Sequence, residues 1–205
     1  MGCLKSIIKK IILLLLIVAF FAFGGWTFVK GKIKEYQNPP REEFIKTEKS
    51  YADFSGVSSD YQLSRSFNLF GYKKLNAKYL PTGQKITILD LKNEDKVCES
   101  DFKTGEIDSK ISNLLDITKD SIITFEDFEI LEKGVLKSKN KDIPYVKFAS
   151  KVKNVPFKNV IGIIAVYSSM DDETQNQSSK LIFTITDKKA YNPVIVKNFA
   201  EGLKI

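Results

Sequence analysis

Histidine is absent from the 205 residues, and cysteine occurs only at Cys3 and Cys98. Those gaps exclude Ser–His and Cys–His nucleophile pairs, histidine-containing zinc sites and four-cysteine clusters. Arginine is nearly missing as well: Arg41 and Arg65 stand among 32 basic residues, and the others are lysine. Nucleic-acid recognition favours arginine and aromatic side chains interleaved with basic ones, so no nucleic-acid partner is expected. No motif for a cofactor or a metal is found, and none is expected. What is present is an ordinary globular balance, 43% hydrophobic and 28% charged, which excludes wholesale disorder.

The long apolar run lies near the N-terminus. Ile11 to Val29 reads IILLLLIVAFFAFGGWTFV, nineteen residues without a charge. As a helix it would span roughly 28 Å, about one hydrocarbon core. Ile11, Leu14, Leu16 and Phe20 supply the apolar body, Trp26 suits a headgroup boundary, and Val29 ends the run before Lys30, Lys32 and Lys34. The expectation is a transmembrane signal anchor with the lipid bilayer as partner. A buried core helix would need apolar cover on every face, which the rest of the chain is too short to supply easily. A cleaved secretory signal is the other alternative, with Ala22-Phe23-Gly24 as a small-x-small triplet, although the run continues past that point. Met1-Gly2-Cys3-Leu4-Lys5-Ser6 also fits an N-myristoylation pattern with Cys3 open to palmitoylation.

Lys5, Lys9 and Lys10 precede the run with no acidic residue beside them. Three lysines follow it closely, so the charge bias is nearly balanced. The α-amino group tips orientation toward a cytoplasmic N-terminus, placing the bulk of the chain outside the cytoplasm at the inner or plasma membrane. The formal charge of +7 largely dissolves on this reading. From Lys30 onward, 29 basic residues face 25 acidic ones.

Four regions follow. Residues 1–10 are a short basic segment, 11–29 the anchor, 30–66 a polar juxtamembrane linker broken by Pro39-Pro40, and 67–205 a soluble domain. Within that domain, Phe67–Tyr72 and Leu75–Leu80 read as early strands, Pro81-Thr82-Gly83 as a turn, and Ile86–Leu91 as a strand. Ile107, Ile111, Leu114 and Leu115 make one helical stripe. Ile122–Leu131 reads as a strand with an irregularity at Glu126-Asp127, and Lys133-Gly134 opens a turn region. Ile143–Val152 alternates, with Val146, Phe148 and Val152 facing one way. Val160–Tyr167 is continuously apolar, as a strand covered on both faces would be, and Leu181–Thr186 follows after a polar loop. Asn192 and Pro193 open a terminal helix whose stripe is Tyr191, Ile195, Phe199 and Leu203. The fold class expected is α+β: an N-terminal transmembrane helix, then a mostly antiparallel sheet flanked by an internal and a C-terminal helix.

Carboxylates cluster twice, at Glu126, Asp127 and Glu129 and at Asp171, Asp172 and Glu173. The first group falls in an alternating strand; the second lacks the residue order of a calcium loop. The basic segment Lys133–Lys141 could meet anionic lipid or simply be solvated, and Cys98 has no histidine to activate it. No coherent catalytic constellation emerges, which favours binding over catalysis.

The order of elements resembles the PsbP-type α-β-α sandwich. The likeness rests on the strand-and-turn Leu80-Pro81-Thr82-Gly83, the amphipathic helix, the long meander, the strand Leu181-Ile182-Phe183-Thr184 and the Tyr191-led terminal helix, over about residues 67–205. The resemblance implies a non-catalytic binding or assembly-accessory role. It carries no ligand residues over, since metal-binding histidines of some members have no counterpart. The function expected is a membrane-anchored, extracytoplasmic binding module with a protein partner. A carboxylate-dependent envelope hydrolase and a self-associating structural component are the alternatives.

Overall fold

The computed structural model describes residues 25–66, 74–91, 101–102, 105–110, 124–153, 159–170 and 177–205. Two compact units divide at the Pro39–Pro40 pair, one of residues 1–39 and one of residues 40–205.

In the first unit, helix α1 runs Gly25–Gln37. It takes in the last five residues of the uncharged run and continues through Lys30, Lys32 and Lys34. Among the described residues no helix is long and apolar enough to cross a membrane, which corrects the expected transmembrane element. Helix α1 has thirteen residues and carries Lys30, Lys32 and Lys34 in its second half. Trp26 and Val29 fall within α1, whereas Ile11, Leu14, Leu16 and Phe20, with Lys5, Lys9 and Lys10, lie outside the described residues.

The second unit is built on one seven-stranded sheet. Its strands are β1 Tyr61–Ser66, β2 Lys74–Tyr79, β3 Lys85–Leu91, β4 Thr124–Lys137, β5 Asp142–Lys153, β6 Asn159–Met170 and β7 Gln177–Asp187, in the order β1-β2-β3-β7-β6-β5-β4. Every pairing is antiparallel. Among the described residues the helices are short: α2 Arg41–Thr47, α3 Pro193–Gly202 and helical turns at residues 101–102 and 107–110. The internal helix expected through Leu115 is described only to residue 110, and the strand expected at Phe67–Tyr72 lies outside the described residues.

Residues 41–66, read from sequence as linker, are part of this unit. Phe44 of α2, Tyr51, Ala52, Phe54 and Val57 are buried, and β1 pairs with β2 throughout its length. Polar spacing hid them because their aromatics are separated by loop residues and show neither helical nor strand period. They pack with Ile195, Val196, Phe199 and Ala200 of α3 on one face of the sheet, against Ile86, Ile88, Ile163, Ala165 and Ile182. A smaller cluster on the other face joins Val146, Phe148, Ile164, Val166 and Leu181 to Ile107. Strand β6 is buried from Val160 to Tyr167 because it serves both clusters.

Local chemistry sets the joints. Gly83 takes a φ of 76°, the left-handed conformation that its turn requires. Asn192 caps α3 by accepting from the Val194 amide at 3.0 Å, with Pro193 at the first helical position. The turn expected at Lys133-Gly134 is not one: β4 runs through it to Lys137. Gly134 is there for space, since a Cβ would meet the Tyr145 ring at 2.8 Å.

Candidate functional site

Cross-strand register places two polar clusters on the α3-covered face. In the first, Asp90 of β3 lies opposite Lys180 of β7. The Lys180 side chain is 3% exposed, and its Nζ sits 2.8 Å from Asp90 Oδ2 and 4.7 Å from the centroid of the Tyr51 ring. Beside it, the buried Tyr167 hydroxyl donates to the Tyr51 carbonyl at 2.9 Å. Burial drives the Tyr167 hydroxyl strongly toward its protonated form, reinforced by Tyr51 and Asp90. A buried ammonium needs a counter-charge, and here a carboxylate and an aromatic face share that task. The sequence signal was present in retrospect, a lysine opening the apolar strand LIFTIT, but only the register pairs it with Asp90.

The second cluster is nearer the β4 edge. Tyr145 of β5 donates to Glu132 of β4 at 2.5 Å, and Lys147 Nζ lies 3.6 Å from the other carboxylate oxygen. Lys147 also stands 5.3 Å from the centroid of Tyr191, whose hydroxyl is buried without a hydrogen-bond partner. The hydrogen bond from Tyr145 holds the Glu132 carboxyl below the usual range, helped by the charges of Lys147 and Lys197 against a small desolvation cost. Burial first, then Glu132, pushes Tyr145 up to about 12, and the same two causes do so for Tyr191. At neutral pH both hydroxyls are therefore protonated, and Glu132 accepts from Tyr145. The arrangement orients groups rather than transferring protons.

Among the described residues, the acidic side chains singled out from sequence do not converge. Asp127 occupies a bulge with a φ of 50°, and its carboxylate pairs with Lys151 at 2.6 Å in solvent. That hydrogen bond holds Asp127 below its ordinary value. Glu129 is exposed on the same strand, and the Glu126 carbonyl accepts from Ser150 at 2.7 Å. Asp171, Asp172, Glu173 and Cys98 lie outside the described residues. No group of three potential metal ligands gathers among the described residues.

The basic segment is largely engaged within the chain. Lys133 pairs with Asp108 at 2.8 Å, Lys137 pairs with Asp142 at 2.9 Å, and Lys141 reaches the Ser168 carbonyl at 3.4 Å. The Lys139 amide donates to Leu203 at 2.9 Å, tying this loop to the C-terminus of α3.

The remaining feature is β4 itself. It pairs with β5 on one side, and no described strand pairs with the other. Register shifts at Glu126/Glu129 and Ile130/Glu132 kink it twice. Leu131, beside the second shift, and Val135 are 43% and 49% exposed. Comparison with protein-family models and with curated proteins finds no match for this chain.

Proposed function

We propose that the chain is a non-catalytic binding module, attached to a membrane through its uncharged N-terminal segment, that engages a protein partner outside the cytoplasm. The observation that carries this reading is the β4 edge. A strand with an unpaired side can accept an extended segment through main-chain hydrogen bonds, while exposed side chains select which segment fits. Leu131 and Val135 supply apolar anchors there, with the acidic Glu129 and the basic Lys133 and Lys137 around them. Support for a hydrolase is weak by comparison, since Asp127 and Lys151 neutralise one another in solvent.

The reading is tested by placing a photo-crosslinking residue at Leu131, at Val135 and, as a control, at Lys188 in native membranes. A discrete adduct to another protein from the first two positions, abolished by Leu131→Asp, is the expected result. Adducts only to this chain would mark self-association. Adducts equal at all three positions would overturn the assignment of β4.

A further inference from the structure

The face of β1, β2 and β3 turned away from α3 is polar and carries charge of one sign. Ile86 and Ile88 join the core beneath α3, whereas Leu89 packs with the cluster on the other face. Strand alternation therefore puts Lys85 and Thr87 on that other face as well. Register adds Lys74, Asn76 and Lys78 from β2, and Gln62, Ser64 and Ser66 from β1. Strands β1 and β2 contain no acidic residue, and Asp90 of β3 lies on the α3 side, where it meets Lys180.

This arrangement costs the fold stability. Lys78 and Lys85 are exposed and directly opposite one another, a like-charge pair that opposes strand pairing. Lys74 is half-buried; burial first, then the charge of Lys85, holds its ammonium below its ordinary value, and no carboxylate offsets either effect. Carboxylates brought by a partner would relieve both costs.

We propose that this face docks an acidic segment of a protein partner, with Lys74, Lys78 and Lys85 meeting its carboxylates and Gln62 and Asn76 its main-chain amides. Two features select a peptide over a phosphate polymer or a lipid headgroup layer. Carboxamides both donate and accept, as peptide groups do, whereas phosphate oxygens only accept. Strands β1 and β2 also turn no apolar side chain to this face that could enter a bilayer, and no aromatic ring on which a base could stack. The surface lies at the end of the sheet away from β4, and the inference stands whether or not that edge binds.

The full-length chain in a zwitterionic detergent tests it, through the fluorescence anisotropy of a labelled glutamate-rich peptide and of its glutamine counterpart. The glutamate peptide is expected to bind and the glutamine peptide not, with an affinity that falls as salt screens the contacts. Lys78→Gln with Lys85→Gln should weaken binding about five-fold, and Lys74→Gln added to them about ten-fold in all. Lys188→Gln with Lys189→Gln, an equal loss of charge in the exposed turn after β7, should leave it unchanged. Failure of the parent chain to bind the glutamate peptide would overturn the proposal, as would equal weakening by both pairs, which reduces the effect to net charge. Tighter binding of polyphosphate or of phosphatidylglycerol vesicles, lost with the same lysines, would assign another class of partner and also overturn it. Lys74→Gln should melt higher than the parent because an uncompensated charge is removed; a lower melt would show that the fold itself uses Lys74 and would overturn its assignment.

Discussion

Burying a hydroxyl costs free energy unless a partner is supplied, and Tyr145 shows how closely that requirement binds its neighbours. Its ring occupies the space Gly134 leaves, and its hydroxyl reaches Glu132. Gly134→Ala should therefore push the ring aside and cost about 1–3 kcal/mol, measurable as a lowered urea midpoint with unchanged slope. The same side chain predicts an alkaline signature. Tyr61, Tyr145 and Tyr191 are each pushed up to about 12, chiefly by burial. A tyrosine whose folded value exceeds its unfolded value of about 10 stabilises the fold below that pH. That contribution is lost as pH rises from about 10 toward 12, because the unfolded chain gives up its protons first. Spectrophotometric titration should show a late class of tyrosines near 12 that moves to about 10 in denaturant. Tyr145→Phe should remove one member of the late class and let the Glu132 carboxyl titrate closer to its ordinary range; an unchanged late class would refute the assignment.

Among the elements, α2 and the segment after it show where sequence reading stops. Phe44, Phe54 and Phe199 form a ring contact chain, with centroids 5.3 and 6.5 Å apart, and Tyr61 meets Phe199 at 5.4 Å. A fragment of residues 40–205 should unfold cooperatively, whereas one beginning at residue 67 should not. It would lose several large buried side chains at roughly 3–5 kcal/mol each, against a total stability of only about 5–15 kcal/mol. Cooperative melting of the shorter fragment, followed by circular dichroism, would contradict this. The strands with clean periods were legible: the burial of β6 on both faces, the alternation in β5, the Asn192 cap and the irregularity at Glu126-Asp127 all follow from spacing and capping chemistry. Gly134 was misread as a turn because nothing local reveals a ring arriving from the next strand. Lys180 and Tyr51 were missed for the same reason, since their contact joins residues 129 positions apart in sequence. Periodicity reports which face a residue occupies, and long-range register decides whom it meets there.

At the scale of the whole molecule, the strand order separates into two sequence-local stacks. Strands β1, β2 and β3 form one and β4 to β7 the other, and the ladder between β3 and β7 joins them in the sheet. Each stack is built from consecutive antiparallel neighbours, which close short loops and pay little chain entropy. The joining pairs, such as Ile88 with Ile182, close a far longer loop, so they are expected to form late in folding. The β1 margin is engaged within the chain, because Arg41 of α2 donates to the Tyr61 and Val57 carbonyls there.

The ladder between β3 and β7 is also a seam along which the domain can be divided. A piece carrying residues 40–91 holds Phe44, Phe54 and Tyr61, and a piece carrying residues 101–205 holds the Phe199 they pack around. Produced separately, each exposes half of one core and one unsatisfied strand margin that only the other can complete. Mixing them should restore sheet structure that neither shows alone, so the domain is suited to reassembly as a two-part reporter whose halves recognise each other through six strand pairs and one aromatic knot.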